Sequence, residues 1–378
     1  MADTAFIRRE PVINRHREII ATRLIVHADS AAAAAAALGQ LDKVWPPVRS
    51  VMVALDGCLP TSDLLAWTPP ANVMIEIPVP ALEQPATRDL VARLHADGVA
   101  LSLSGYDGRA TLPDEPFRFL LADFVTQPRF DDPPALPLAQ HLADLPAFDS
   151  AIANGYAGAT GWFFLRGQPA WGPLKTSHAN TVRVLNLVRR NAAVGEIEAA
   201  LKQDVTLSFK LLKYINSPAF GLGKEIQSFR HAVTLLGYDK LNKWLSLLLV
   251  TASKSPTAPA LMQTAIARGR FMETIGAGRF DAGQRDSLFI AGAFSLLDML
   301  LAARMDDILA AMQLPAVITD ALIGRTGEFA PYLALALACE NENPALLIEL
   351  AGQLDLSATT VNRAQLEALA FADGLQLD

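Results

Sequence analysis

The imidazole and thiol side chains that most often bind transition metals are scarce in this sequence. Histidine occurs six times, at positions 16, 27, 95, 141, 178 and 231, and cysteine twice, as Cys58 and Cys339. The stretch KLLKYINSPAFGLGKEIQSFRHAVTLLG (210–237) places His231 near Lys210, Lys213, Lys224 and Arg230. A general base or metal ligand at His231 needs a carboxylate, hydroxyl or second imidazole at useful spacing. No Asp/Ser pairing stands there at useful spacing, so His231 is expected to be a packed or half-exposed helix residue, and the four cations to be solvated faces or internal ties. Asn216-Ser217-Pro218 reads as a helix terminator whose polar side chains bond free backbone ends, with Phe220 sealing the turn. No histidine follows His231, so the later helices alone cannot build a histidine-rich metal cluster. The two cysteines are too far apart for a CxxC site and predict neither a zinc site nor a disulfide framework. The stretch therefore builds architecture, and any function in it is recognition.

The composition sets wider bounds. Of 378 residues, 51% are hydrophobic and 19% charged, enough to bury sizeable cores in two or more domains. A net charge of −7 without strong patterning disfavours a protein devoted to nucleic acid or anionic membranes. MADTAFIRRE carries charges where a signal peptide needs an apolar core, and WLSLLLVTA is too short to span a bilayer. The expected location is cytoplasmic.

Two rhythms follow one another. Up to about residue 170, strand-like runs at 51–55, 72–79, 99–103 and 124–127 alternate with helices such as ATRDLVARLHADG, which stops at Gly98. Such alternation implies βα units around a parallel sheet. Ser30 is the expected N-cap of the alanine run 31–37, because alanine is the best helix former. RGQPAWGPLKTS (166–177) is a connector. Beyond it the sequence is helical: SFRHAVTLLG ends at Gly237, DKLNKWLSLLLV restarts at Asp239, and Asp298 shares a helix with Ser295 and Leu296. The pair around Gly237 loosely matches a helix-turn-helix reader. Only Lys240, Asn242 and Lys243 would suit nucleic acid there, ahead of Trp244 and a leucine-rich body, so a core helix pair is expected.

The segment QDVTLSFKLLKYINSPAFGLGKEIQSFRHAVTLLGYDKLNKWLSLLL, continued by FIAGAFSLLDMLL, closely resembles the HDOD domain of bacterial signalling proteins. The opening FIRREPVINRHREIIATRLIVHAD and the later NGYAGATGWFFLRGQPA resemble the first hairpin and the closing segment of an EAL domain. That family is a cyclic-di-GMP phosphodiesterase of distorted (β/α)₈-barrel type. The resemblance implies an α/β half, 1–170, with a shortened, degenerate EAL-type barrel, followed by an all-α HDOD bundle, 171–378.

An EAL phosphodiesterase needs two divalent cations held by carboxylates and an amide at strand ends, plus a lysine. Carried over residue by residue, the signature glutamate falls at Arg23 and the asparagine near Val53. One glutamate survives as Glu76, and the Asp-Asp pair falls at Ser102 and Leu103. The lysine becomes Thr126, the aspartate after it Pro128, and Asp144 is the nearest candidate for the last glutamate. The His-Asp dipeptide of HD phosphohydrolases, which HDOD domains resemble, is Ser295-Leu296 here.

The resemblance therefore implies a pseudoenzyme with no catalytic residue, metal or cofactor. It would act by protein–protein interaction with other bacterial signalling proteins in a cyclic-di-GMP-related pathway, without nucleic acid or membrane partners. Its docking surface is expected at Lys213, Tyr214, Phe220, Lys224 and Arg230. Cyclic-di-GMP binding is expected to be weak at most. The alternative is a metal-free cyclic-di-GMP sensor using Arg8, Arg23 and Arg166 on the phosphates; an active phosphodiesterase or HD-type phosphohydrolase is the least favoured reading.

Overall fold

The computed structural model describes residues 5–107, 110–167, 171–173, 176–202, 229–251, 253 and 255–375. It divides into two compact units, Met1–Gly167 with Leu337–Leu366, and Gln168–Ala336 with Glu367–Asp378. The sequence reading places all of 171–378 in the helical half; the structure instead groups Leu337–Leu366 with the barrel.

The first unit is a closed barrel of eight strands. Strand β1 (Phe6–Asn14) and β2 (Ile19–His27) form the expected antiparallel hairpin. Asn14 folds its turn: the Oδ1 atom accepts the backbone N–H groups of His16 and Glu18 at 2.9 and 3.0 Å. Then β3 (Ser50–Asp56), β4 (Val73–Pro78), β5 (Ala100–Ser104), β6 (Phe119–Asp123), β7 (Leu136–Gln140) and β8 (Gly158–Thr160) add in parallel. Strand β8 closes on β1 through three pairs, Val12–Thr160 to Asn14–Gly158. A Cβ at Gly158 would lie 2.2 Å from the Ile13 carbonyl oxygen, so only glycine admits this approach.

Among the described residues before 167, three α-helices return along this barrel: α1 (Ala31–Gly39), α2 (Pro85–Ala96) and α3 (Leu145–Ala153). Ser30 caps α1 as expected, accepting the Ala33 N–H at 3.2 Å. Short 3₁₀ turns replace helices elsewhere. The strand expected at 124–127 lies instead at Phe119–Asp123. Leu120, Leu121 and Ala122 are buried there, whereas the Asp123 carboxylate takes the Val125 N–H at 2.8 Å and turns the chain outward.

Side chains alternate between barrel interior and outer layer. Val12, Ala21, Met52, Met74, Leu121 and Leu138 form one interior layer, with Ala100 and Phe119 against it. Val53 and Leu103 are one residue out of phase with these interior positions and face outward.

The second unit is helical. Among the described residues its α-helices include α4 (Thr176–Arg189), α5 (Val194–Lys202), α6 (Phe229–Val250), α7 (Ala258–Ile275), α8 (Ala282–Phe294), α9 (Leu297–Leu301), α10 (Met305–Ala310) and α11 (Ala316–Thr319). Helix α6 breaks at Gly237, whose φ of 73° and ψ of 174° suit glycine alone, matching the expected stop and restart. Trp244, Leu245, Leu247, Leu248, Leu249 and Val250 are buried. Asn242 accepts from Arg189 Nε at 2.9 Å and Lys243 is bonded to Glu273 and Asp286, so two of the three polar groups of the helix-turn-helix alternative are engaged internally. Helices α12 (Ala330–Ala338) and α14 (Ala358–Gly374) each carry the chain from one unit to the other, with α13 (Pro344–Gln353) between them. Among the described residues no helix is long and apolar enough to cross a membrane.

Candidate functional site

Above the apolar layer the barrel interior turns polar. Glu10 and Arg23 are direct cross-strand partners in the hairpin, and Glu76 lies on β4. The Arg23 guanidinium grips Glu76 with both arms of its fork, Nε to Oε2 at 2.7 Å and Nη2 to Oε1 at 2.8 Å. Its Nη1 donates to Glu10 Oε2 at 3.0 Å. Burial alone would lower the Arg23 pKa; Glu76, then Glu10, outweigh it and hold the guanidinium charged, above its ordinary value. Such a planar, bidentate pair is among the strongest charge-assisted contacts.

Arg23 therefore delivers positive charge to the Glu76 carboxylate. Ser102 pairs in register with Glu76 and is fully buried, its hydroxyl without a hydrogen-bond partner. The arrangement does not fit a divalent cation: the glutamate that could bind one is already neutralised, and its β5 neighbour is a hydroxyl. Among the described residues, no three His, Cys, Asp or Glu side chains are grouped to hold a metal ion.

At the C-terminal ends of the parallel strands lies a cavity of about 560 Å³. Arg8, Arg23 and Arg166 all line it, together with Glu10, Asp56, His141, Trp162 and the turn Glu340–Glu342. Each arginine already meets oxygen. Arg8 Nη2 bonds Asp56 Oδ2 at 3.0 Å, and His27 Nδ1 approaches the same oxygen at 3.2 Å. Arg166 Nη1 donates to the Leu142 carbonyl at 3.3 Å. The turn then meets three arginines in succession. Arg9 pairs with Glu340 at 2.9 Å, the two side chains 3% and 5% exposed. Arg8 Nη1 donates to the Asn341 carbonyl at 3.2 Å, and Arg166 lies 3.9 Å from Glu342.

Other expected positions fall outside this mouth. Val53 and Leu103 face the outer layer, for the phase reason given above. Thr126 lies in the exposed turn after β6, where Val125 is 79% exposed. Asp144 is the N-cap of α3, its carboxylate accepting the Ala147 N–H at 2.9 Å, so it serves the helix. Glu10 and Asp56 were missed, although Arg8/Glu10/Val12 and Met52/Ala54/Asp56 carry the period-two signal of one strand face. Nothing local marks Glu340.

In the helical unit, Ser295 and Leu296 close α8 instead of continuing it, and Asp298 lies on the separate α9, not on one helix with them. Leu296 is core. Ser295 Oγ donates to the Gly292 carbonyl at 2.7 Å and accepts from Arg268 Nη1 at 3.1 Å. Burial pushes Asp298 up, while its backbone hydrogen bonds and then Arg325 and Arg268 oppose it. A serine hydroxyl, a leucine and a nearby guanidinium thus stand where the resemblance places a metal-binding His-Asp. Lys213, Tyr214, Phe220 and Lys224 lie outside the described residues; Arg230 is within α6, and nothing is described of its side chain.

A model of the HDOD domain matches residues 175–311, and the chain carries that domain. The chain is 25% identical over 243 residues to the uncharacterized protein YuxH of Bacillus subtilis, covering 63% of this chain and 59% of that one. It is 30% identical over 139 residues to the cyclic di-GMP phosphodiesterase CdgJ of Vibrio cholerae, covering 37% and 32%. The chain thus spans less than two thirds of either relative. A solved HDOD domain protein with unknown function from Geobacter sulfurreducens superposes with a TM-score of 0.36 at 15% identity, over 56% of this chain and 94% of that one.

Proposed function

We propose that this HDOD-containing chain is a non-enzymatic signalling protein whose eight-stranded barrel is a degenerate EAL domain, acting through protein–protein contacts in a cyclic-di-GMP-related pathway. The observation that carries the reading is the Arg23 fork on Glu76. In an EAL phosphodiesterase that glutamate would share in binding catalytic cations; here a guanidinium takes the place of their charge. The partial likeness to CdgJ supports the pathway. Docking is assigned to the helical half, to the sequence positions Lys213, Tyr214, Phe220, Lys224 and Arg230.

The test is direct. The purified 378-residue chain with magnesium or manganese should leave cyclic-di-GMP intact. Metal-dependent turnover that Glu76→Ala abolishes would overturn the reading.

The sensor reading has one observation in its favour: Arg8, Arg23 and Arg166 line one cavity. Against it, Asp56 already pairs with Arg8, and Glu76 and Glu10 with Arg23, while Arg166 meets the exposed Glu342 at 3.9 Å. Submicromolar cyclic-di-GMP affinity by calorimetry, without hydrolysis, would favour the sensor.

A further inference from the structure

Strand β8 reaches only Val12–Asn14 of β1, so among the described residues no strand pairs with Ala5–Arg9 on that side. Unpaired backbone groups at a buried edge are costly. The far end of the chain satisfies them. Asn362 Oδ1 accepts the Ile7 N–H at 2.9 Å, and its Nδ2 donates to the Ala5 carbonyl at 2.8 Å. Gln365 Nε2 donates to the Ile7 carbonyl at 2.7 Å, and the Arg9 N–H donates to the Cys339 carbonyl at 2.9 Å. Two side-chain amides and one carbonyl thus reproduce the hydrogen-bond pattern of a missing neighbour strand.

We propose that Leu337–Leu366 is a latch on the barrel, opening as one piece to uncover both the β1 edge and the arginine rim of the mouth while the rest of the chain stays folded. This holds whether or not the barrel is catalytic. Three features support it. The same segment seats Glu340–Glu342 on Arg9, Arg8 and Arg166, so edge and mouth are covered or uncovered together. Its grip on the edge uses side chains rather than a continuous strand ladder. Between its two ends the segment is sparsely buried, with Leu347 and Ala351 the buried residues of α13 and Asn341, Glu342 and Asn343 exposed, so the hold rests on Cys339 at one end and on Val361, Asn362, Ala364, Gln365 and Leu366 at the other. In the closed state an external anion meets arginines already engaged by the turn.

Cys339 reports the opening. It is 1% exposed, and burial pushes its thiol up to about 12, so it reacts only when uncovered. In the 378-residue chain carrying Cys58→Ser it is the sole thiol. Its reaction with Ellman's reagent should be measured across a urea series beside far-ultraviolet circular dichroism. The latch predicts labelling without urea, weakly urea-dependent and at least tenfold faster than global unfolding permits. Asn362→Ala with Gln365→Ala should add a further tenfold or more. If labelling of the Cys58→Ser protein follows the global unfolding curve at every urea concentration, the segment is a fixed part of the barrel and the latch is wrong. That measurement decides the matter even if the double variant does not fold.

Discussion

At the scale of single residues, Arg23 sets the character of the barrel interior. Its partner Glu76 is 3% exposed, so removing the guanidinium leaves a buried carboxylate unpaired. Breaking a buried pair from one side costs about 3–5 kcal/mol, whereas replacing both partners with apolar groups is often neutral. Arg23→Met should therefore lower stability by about that amount, and Arg23→Met with Glu76→Leu should recover most of it, both read from urea midpoints. Equal losses in the single and double variants would show that the pair is not coupled. Arg23 and Glu76 were legible as positions because the motif order exposes them. Their contact was not: they are 53 residues apart, and only barrel closure brings β2 and β4 to one lumen. Val53 and Leu103 show the opposite error. A match along the chain ignores strand phase, and a one-residue slip turns a side chain from lumen to outer layer.

At the scale of elements, local signals succeeded where local physics decides. Ser30 before an alanine run and Gly237 between two helical stretches both act through their own backbone, and both appear as expected. With φ at 73° and ψ at 174°, Gly237 occupies a region that side chains disfavour strongly. Gly237→Ala should cost about 1–3 kcal/mol, visible as a lowered melting temperature, although a Cβ there would meet nothing within 4 Å. An unchanged melting temperature would mean that the helix break relaxes. The strand expected at 124–127 failed because the apolar run before it, Leu120–Ala122, is the part the barrel buries. Strand β8 is three residues long and carries too little pattern to be read as a strand by itself. The break between α8 and α9 at Ser295 was hidden because the apolar run continues through it.

At the scale of the whole chain, the boundary near residue 170 is legible as a change of rhythm, but the return of Leu337–Leu366 to the barrel is not. Asn362 and Gln365 look like ordinary helix polar residues until β1 is placed beside them. A fragment ending at residue 170 should therefore fold as a barrel of markedly lower stability: it leaves Arg9 buried without Glu340 and the Ile7 edge without amides. Circular dichroism should show a folded fragment whose melting temperature lies well below that of the whole chain and rises when 337–366 is fused after a flexible linker. An unchanged melting temperature, or a fragment with no folded signal, would contradict this. The return also has a consequence in time. A ribosome adds about 5–20 residues each second, and the chain from Gly167 to Leu337 must be made before the barrel edge can close. The nascent barrel therefore waits roughly 10–35 s with its first strand exposed, a window in which a holding chaperone has something to bind. A chain cut short by a premature stop never leaves that window, so completion of the barrel doubles as a check that translation reached the end of this segment.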